Sequence, residues 1–287
     1  MQVRQALDFV PAELREAALA LPEAEYIEEV RLRRGRRGSC LIRGREQELP
    51  VLTTGAMLQE TLERAMGQSR YTAQEMLCRG FLALNGGHRL GVCGTGVYHG
   101  AELYSLRDIS SLNLRIARAV RGVAKDVADR LWIHPKSALV IGPPGSGKTT
   151  LLRDLIRQLS ERFSFRIAVA DERMELAACV DGKVQFDLGR TVDVLSAVPK
   201  EQAVEMLLRS MNPQWIAVDE ITATEDVETM VRASYCGVRF LATAHAASRE
   251  DLARRPVYKT LLEAGIFETL VVLDVRRNIR MEGLTND

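Results

Sequence analysis

The chain has 287 residues, 46% of them hydrophobic, and its 39 basic and 38 acidic side chains leave a formal net charge of +1. That is the balance of a soluble globular protein large enough for two ordinary domains. It excludes any whole-chain bias towards nucleic acid or an acidic membrane, so a basic surface must be local. Five scattered cysteines (Cys40, Cys78, Cys93, Cys179, Cys236) without a C-x-x-C pair argue against a disulfide framework or a zinc site and for a reducing compartment.

The N-terminus, MQVRQALDFVPAEL, lacks the apolar core of a signal peptide. No run approaches the roughly 18 apolar residues of a membrane span. The expectation is a cytoplasmic protein with no direct membrane insertion, reaching membranes only through partners.

In chain order, residues 1–22 predict one short helix, with Pro11 near its start, Leu14, Ala17, Ala18 and Leu21 on one face, and Pro22 ending it. Val30 and Leu32 alternate with Arg31 and Arg33, a half-buried strand. Gly35 to Gly38 form its turn, and Cys40 to Ile42 the returning partner. Arg31, Arg33, Arg34, Arg36 and Arg37 could face a polyanion or could be a solvated edge. No aromatic interleaving supports base stacking, which argues against nucleic acid.

Thr53 or Thr54 is expected to cap a helix through about Met66. Thr72 with Glu75 reads as a capping box for a helix over Ala73 to Arg79. Phe81 to Leu84, the turn Asn85-Gly86-Gly87 and His88 to Val92 read as a hairpin, with a further strand near Ser111 to Ile116. Residues 1–118 thus predict an α+β domain, and 119–136 a linker with one short helix over Val120 to Trp132.

From residue 137 the pattern changes. Ala138 to Ile141 is a fully apolar run, the signature of a buried parallel strand. It leads into Gly142-Pro143-Pro144-Gly145-Ser146-Gly147-Lys148-Thr149-Thr150, a complete G-x-x-x-x-G-K-[ST] match. Leu151, Leu152, Leu155, Ile156 and Leu159 follow at helical spacing. Strand, glycine loop and helix together specify a nucleoside triphosphate site. The glycines let successive N–H groups converge on phosphate oxygens, and the helix start adds its positive dipole end. Lys148 supplies a point charge, and the Thr149 hydroxyl a ligand for Mg²⁺.

Strands are then predicted over Phe165 to Ala170, Trp215 to Val218, Arg239 to Ala244 and Leu270 to Asp274. Helices are predicted from Pro199 through Ser210 and over Asp226 to Ser234. This alternation predicts a doubly wound, mainly parallel sheet over 137–287, with functional groups at the carboxyl ends of its strands. Two acidic clusters fall there. Asp219 would hold Mg²⁺, and Glu220 would polarise the attacking water. Asp171, Glu172 and Glu175 could tune the metal or the water, or could be an N-cap with first-turn acids. His245, with Thr243, suits a group that senses the γ-phosphate, although a lone histidine is often structural. His88, His99 and His134 have no ligand spacing. Hydrolysis also calls for a cation near the γ-phosphate, worth roughly 10³ in rate when supplied in trans; Arg89 and Arg115 are the candidates.

GPPGSGKTTLLRDL, VADERMEL, GRTVDVL…PK…MLLRSMNPQWIAVDEI and GVRFLATAHA together resemble the stage III sporulation protein AA family. That family is itself similar to the ATPases of type II and type IV secretion and of type IV pili. VRLRRGR and HRLGV…SLNLRIAR extend the resemblance over the first domain. It implies a RecA-like P-loop NTPase core preceded by a smaller α+β domain, with Walker A at Gly142 to Thr149 and Walker B at Asp219-Glu220. It also implies an acidic box at Asp171 to Glu175, a histidine box at His245, and arginines at Arg89 and Arg115 that approach nucleotide on the neighbouring subunit. The implied assembly is a homo-oligomeric ring, usually a hexamer. Such a ring would hydrolyse ATP with Mg²⁺ as a motor for membrane-embedded channel proteins of a secretion-like complex in sporulation.

Departures from the pattern are Thr222 in place of Gly after the Walker B Ile, Val198-Pro199-Lys200 in place of Cys-Pro-Lys, and Asp219-Glu220 where secretion ATPases have Gly-Glu. The C-terminal domain of the secretion ATPases is expected to be missing here. Two other functions stay open: a nucleic-acid-stimulated translocase, and a nucleotide-gated assembly factor with little hydrolysis.

Overall fold

A computed structural model describes residues 2–67, 77, 78 and 80–284. They form two compact units: residues up to Arg118 together with Cys179–Gln185, and Ala119–Ala178 together with the residues from Phe186 onward.

The first unit opens with two helices, α1 (Gln2–Leu7) and α2 (Ala12–Leu19), where the sequence predicts one. Pro11 is the N-cap of α2 with an extended ψ of 151°. A proline starts a helix well, but it excludes helical geometry for the residue before it, so α1 cannot run through Val10. Then follow β1 (Ile27–Arg33), β2 (Arg37–Ile42), β3 (Arg45–Leu52), α3 (Gly55–Met66), β4 (Phe81–Ala83), β5 (Arg89–His99) and β6 (Glu102–Arg115). The sheet order is β3-β2-β1-β6-β5-β4, and every pair is antiparallel. Thr54 caps α3 as expected, its hydroxyl accepting from Met57 N at 3.2 Å.

β3 was not expected. It is an edge strand whose inward residues are Leu49 and Val51, interrupted by Pro50, so little alternation marks it. The expected capping box at Thr72 and Glu75 and its helix over Ala73 to Arg79 lie outside the described residues. α1, α2 and α3 cover one face of the sheet, and Leu7, Leu14, Ile27, Leu58 and Leu90 are each at most 1% exposed. In that core, burial pushes the Cys40 thiol up to about 12, leaving it inert at neutral pH.

In the second unit, residues 119–136 carry α4 (Lys125–Ile133). β7 (Ala138–Ile141) leads through the glycine loop into α5 (Lys148–Phe163). β8 (Ile167–Asp171), β9 (Val192–Ser196), α6 (Lys200–Met211), β10 (Trp215–Val218), α7 (Thr224–Ser234) and β11 (Arg239–Ala244) come next. α8 (Arg249–Arg254), α9 (Pro256–Glu263), β12 (Thr269–Leu273) and β13 (Ile279–Gly283) complete it. The sheet runs β13-β12-β7-β11-β10-β8-β9; β13 is antiparallel to β12 and all other neighbours are parallel. β9 and β13, neither expected, are the two edges, where half-solvated residues blur the apolar run that marks an inner strand.

All four residues of β7 are fully buried, as are Leu152, Leu155, Ile156 and Leu159 on the sheet-facing side of α5. Each such side chain stabilises by roughly 2 kcal/mol. α5 also buries Asp154, 3% exposed, whose carboxylate accepts from Ala124 N at 2.9 Å and Gln158 Nε2 at 2.8 Å and pairs with Arg157 at 2.7 Å. The start of α4 is thereby tied to the glycine-loop helix.

Candidate nucleotide site

β7, β11, β10 and β8 are consecutive across the sheet, so the loops after them meet at one end. Leaving β7, Gly142 can carry no side chain: a Cβ there would lie 2.6 Å from Ser146 Oγ and 2.7 Å from Leu273 O. Gly145 and Gly147 adopt φ of 75° and 99°, open to glycine with little strain. Among the described residues the buried Ser146 hydroxyl has no hydrogen-bond partner, and a buried polar atom inside the turn calls for one.

Lys148 is 6% exposed. Its ammonium donates to Gly142 O at 2.9 Å and Pro143 O at 3.1 Å and meets His245 Nδ1 at 3.0 Å. Burial pushes it below the usual lysine range, with Asp219 and Glu220 opposing. Two main-chain carbonyls are poor final partners for a buried ammonium, and phosphate oxygens are better ones.

The Thr149 hydroxyl donates to Asp219 Oδ2 at 2.9 Å, and the Thr243 hydroxyl to Asp219 Oδ1 at 2.6 Å. Thr243 Oγ1 also accepts from Glu220 N at 2.8 Å. One β11 side chain thereby joins both carboxylate residues that follow β10. Burial raises the Asp219 carboxyl above the usual range, the two threonine hydroxyls oppose it, and Glu175 and Asp171 add to it. A desolvated carboxylate with anionic neighbours favours a cation beside it. Among the described residues no group of three His, Cys, Asp or Glu side chains is arranged to hold a metal. Mg²⁺ needs no such cage, because phosphates and water complete its shell around one or two protein ligands. Thr149 and Asp219 fit that requirement.

Glu220 follows β10 in the left-handed region, with φ of 55°. Its Oε2 pairs with Arg173 and its Oε1 lies 3.4 Å from His245 Nε2. Because His245 Nδ1 faces an ammonium it acts as acceptor, which leaves the proton on Nε2 towards Glu220; the tautomer is inferred from these partners. His245 therefore bridges Lys148 and Glu220.

Asp171 has a different position from Asp219. It is 1% exposed, and its two oxygens accept from the amides of Glu175, Leu176, Ala177 and Ala178 at 2.8–3.2 Å. Its carboxylate is spent on shaping the loop that carries Glu175. Arg153, on α5, grips the same loop from outside, donating to Glu175 O at 2.7 Å and Leu176 O at 3.0 Å, with its guanidinium 3.6 Å over the Phe186 ring. Burial pushes Arg153 down to about 10, still charged at neutral pH. Sequence reasoning missed Arg153. Its place on α5 as a half-buried basic residue between the buried Leu152 and Asp154 was the available signal.

Arg89 and Arg115 belong to the first unit. They are directly opposed on β5 and β6, with Arg89 stacked 3.6 Å over Phe81 and Arg115 Nε 3.7 Å from Glu29 Oε1. Arg31 pairs with Glu29 at 2.7 Å and Arg33 with Glu46 at 3.6 Å. The arginine-rich strand is thus partly neutralised within its own sheet.

A family model described as sporulation stage III, protein AA, matches residues 4–286. Stage III sporulation protein AA of Bacillus subtilis (strain 168) is 36% identical over 278 residues, covering 94% of this chain and 91% of that one. Protein SEEDLING PLASTID DEVELOPMENT 1 of Arabidopsis thaliana is 29% identical over 157 residues, 54% of this chain and 22% of its own length. The pilus retraction motor PilT with bound ADP superposes with a TM-score of 0.60 at 20% identity, over 91% of this chain and 76% of its own. The Legionella pneumophila ATPase DotB gives 0.58 at 16%, over 94% and 77%. These likenesses show the fold: a mainly parallel sheet unit and an antiparallel sheet unit, as in those solved structures. No helix among the described residues is long and apolar enough to cross a membrane.

Proposed function

The chain belongs to the sporulation stage III protein AA family, and from that premise we propose that it is a Mg²⁺-dependent ATPase working as a ring within a sporulation channel complex. The observation that carries this reading is the chain of contacts Thr149–Asp219–Thr243–Glu220–His245–Lys148, assembled at the ends of three strands, β7, β10 and β11, on one side of the parallel sheet. A glycine turn that merely joined strand to helix would need none of it.

Loop amides from Gly142 to Thr150 bind the phosphates, with Pro143 and Pro144 stiffening the approach. Lys148 exchanges its two carbonyl partners for phosphate oxygens. Thr149 and Asp219 hold Mg²⁺, which when bound neutralises charge on the β- and γ-phosphoryl oxygens. Glu220 orients the attacking water and takes its proton, general-base work worth about 10²–10⁴ in rate. His245, released when Lys148 turns to phosphate, carries the nucleotide state to Glu220. Glu175, on the loop shaped by Asp171, adds negative potential at Asp219. Arg89 and Arg115, paired across β5 and β6, act on the nucleotide of the next subunit in the ring.

A second reading, a nucleotide-gated assembly factor with little turnover, draws on a specific observation: both Glu220 oxygens are engaged, by Arg173 and His245. One experiment separates the two readings. Purified wild type should release phosphate from ATP in Mg²⁺, and Glu220→Gln should bind ATP while losing turnover. ATP binding by wild type without phosphate release would favour the assembly factor.

A further inference from the structure

Lys200 is the first residue of α6, where the helix's positive end disfavours a cation, and it is only 5% exposed. A buried lysine at that position needs strong local partners. Its ammonium donates to Glu220 O at 2.8 Å and approaches Thr222 Oγ1 at 3.4 Å. It also pairs with Asp226 at 3.2 Å and Glu172 at 3.5 Å. Asp226, itself 5% exposed, accepts from Thr222 N at 2.9 Å and Ala223 N at 3.1 Å.

One of these contacts, from the Lys200 ammonium, reaches the main chain of Glu220. Its N–H goes to the Thr243 hydroxyl and its carbonyl to Lys200, so side chains hold both of its backbone polar groups. Its φ of 55° is one that a residue with a Cβ keeps only where the surroundings impose it. Thr243 imposes it from β11 and Lys200 from α6.

We propose that Lys200 is a positioning residue for Glu220: by holding the Glu220 carbonyl it fixes the left-handed turn that directs the carboxylate to His245 and ties Glu172 and Asp226 to the same point. The proposal rests on the reading of Glu220 as the group that orients water.

Removing Lys200 alone would strand the buried Asp226 carboxylate, so the informative pair is Asp226→Asn and Lys200→Met/Asp226→Asn. In both, residue 226 keeps an acceptor for the amides of Thr222 and Ala223. Relative to the single variant, the double variant should lose about 100-fold in kcat, the scale of a misplaced catalytic group, with KM for ATP within about threefold. Without nucleotide, amide hydrogen exchange over 216–224 should quicken by roughly tenfold, with 138–152 unchanged, as a local opening does. Unchanged exchange over 216–224 would overturn the proposal whatever the activity, and so would a rise over both segments alike, which marks a general role in the fold. Failure of the parent protein to hydrolyse ATP would instead overturn the reading of Glu220, while exchange still decides whether Lys200 holds its backbone.

Discussion

Glu220 illustrates how little of a functional group's behaviour belongs to its own side chain. Thr243 and Lys200 fix its backbone, and Arg173 and His245 hold its carboxylate. Glu220→Gln keeps the shape and removes the base. Turnover should fall by about 10²–10⁴ while affinity for ATP, read with a fluorescent analogue, stays within a few-fold. Rapid hydrolysis by this variant would remove Glu220 from its assigned role. Lys148→Ala should instead lose nucleotide binding itself. His88 gives a prediction in the first unit. Its Nδ1 accepts from Ala117 N at 3.1 Å, and burial lowers its pKa from 6.5 to about 4. The folded state therefore prefers the neutral ring and the unfolded state takes up the proton first. Stability is present in full above pH 6.5 and is lost as pH falls towards 4, up to about 3 kcal/mol. Chemical melts of wild type and His88→Gln across that window should show the steeper fall in stability in wild type.

At the scale of the element, the glycine loop separates two requirements. Gly142 is needed because nothing larger fits between Ser146 and Leu273, whereas Gly145 has open space around it and is needed for its φ of 75°. Gly142→Ala should destabilise the second unit by about 3 kcal/mol, the upper end for overpacking, because the clash is with the Leu273 main chain. Gly145→Ala should cost about 1 kcal/mol, from backbone strain alone. Urea unfolding compares them, and equal losses would contradict the distinction. The buried strands β7, β10 and β11 and the helices α3, α5, α6 and α7 were legible because each carries an uninterrupted apolar run or a 3.6-residue stripe. β3, β9 and β13 were not, because an edge strand need bury only one or two side chains, and α1 was hidden behind the break that Pro11 imposes.

For the whole molecule, the proposed ring places Arg89 and Arg115, both in the first unit, at the nucleotide of a neighbouring subunit. ATPase activity per subunit should then rise with protein concentration, and Arg89→Ala or Arg115→Ala should reduce it by about 10³, the scale of an arginine supplied in trans. Adding wild type to either variant should restore part of the activity. A rate flat with concentration and indifferent to both arginines would mean that each subunit's site is self-contained.

The glycine loop, the strand that precedes it, the helix that follows and the acidic pair at Asp219-Glu220 are readable along the chain alone. Each is a local pattern, contiguous along the chain, whose residue types leave few alternatives. Residue types alone leave Asp171 open between metal chemistry and capping; in the fold, four amides of its own loop turn onto the carboxylate. The tertiary structure also decided that Thr243 joins Asp219 to Glu220, that Arg153 clamps the Glu175 loop, and that Lys200 reaches the Glu220 carbonyl. Those contacts cross from one strand end or helix start to another. Their partners are set by the order in which parallel strands lie side by side, which no spacing along the chain encodes.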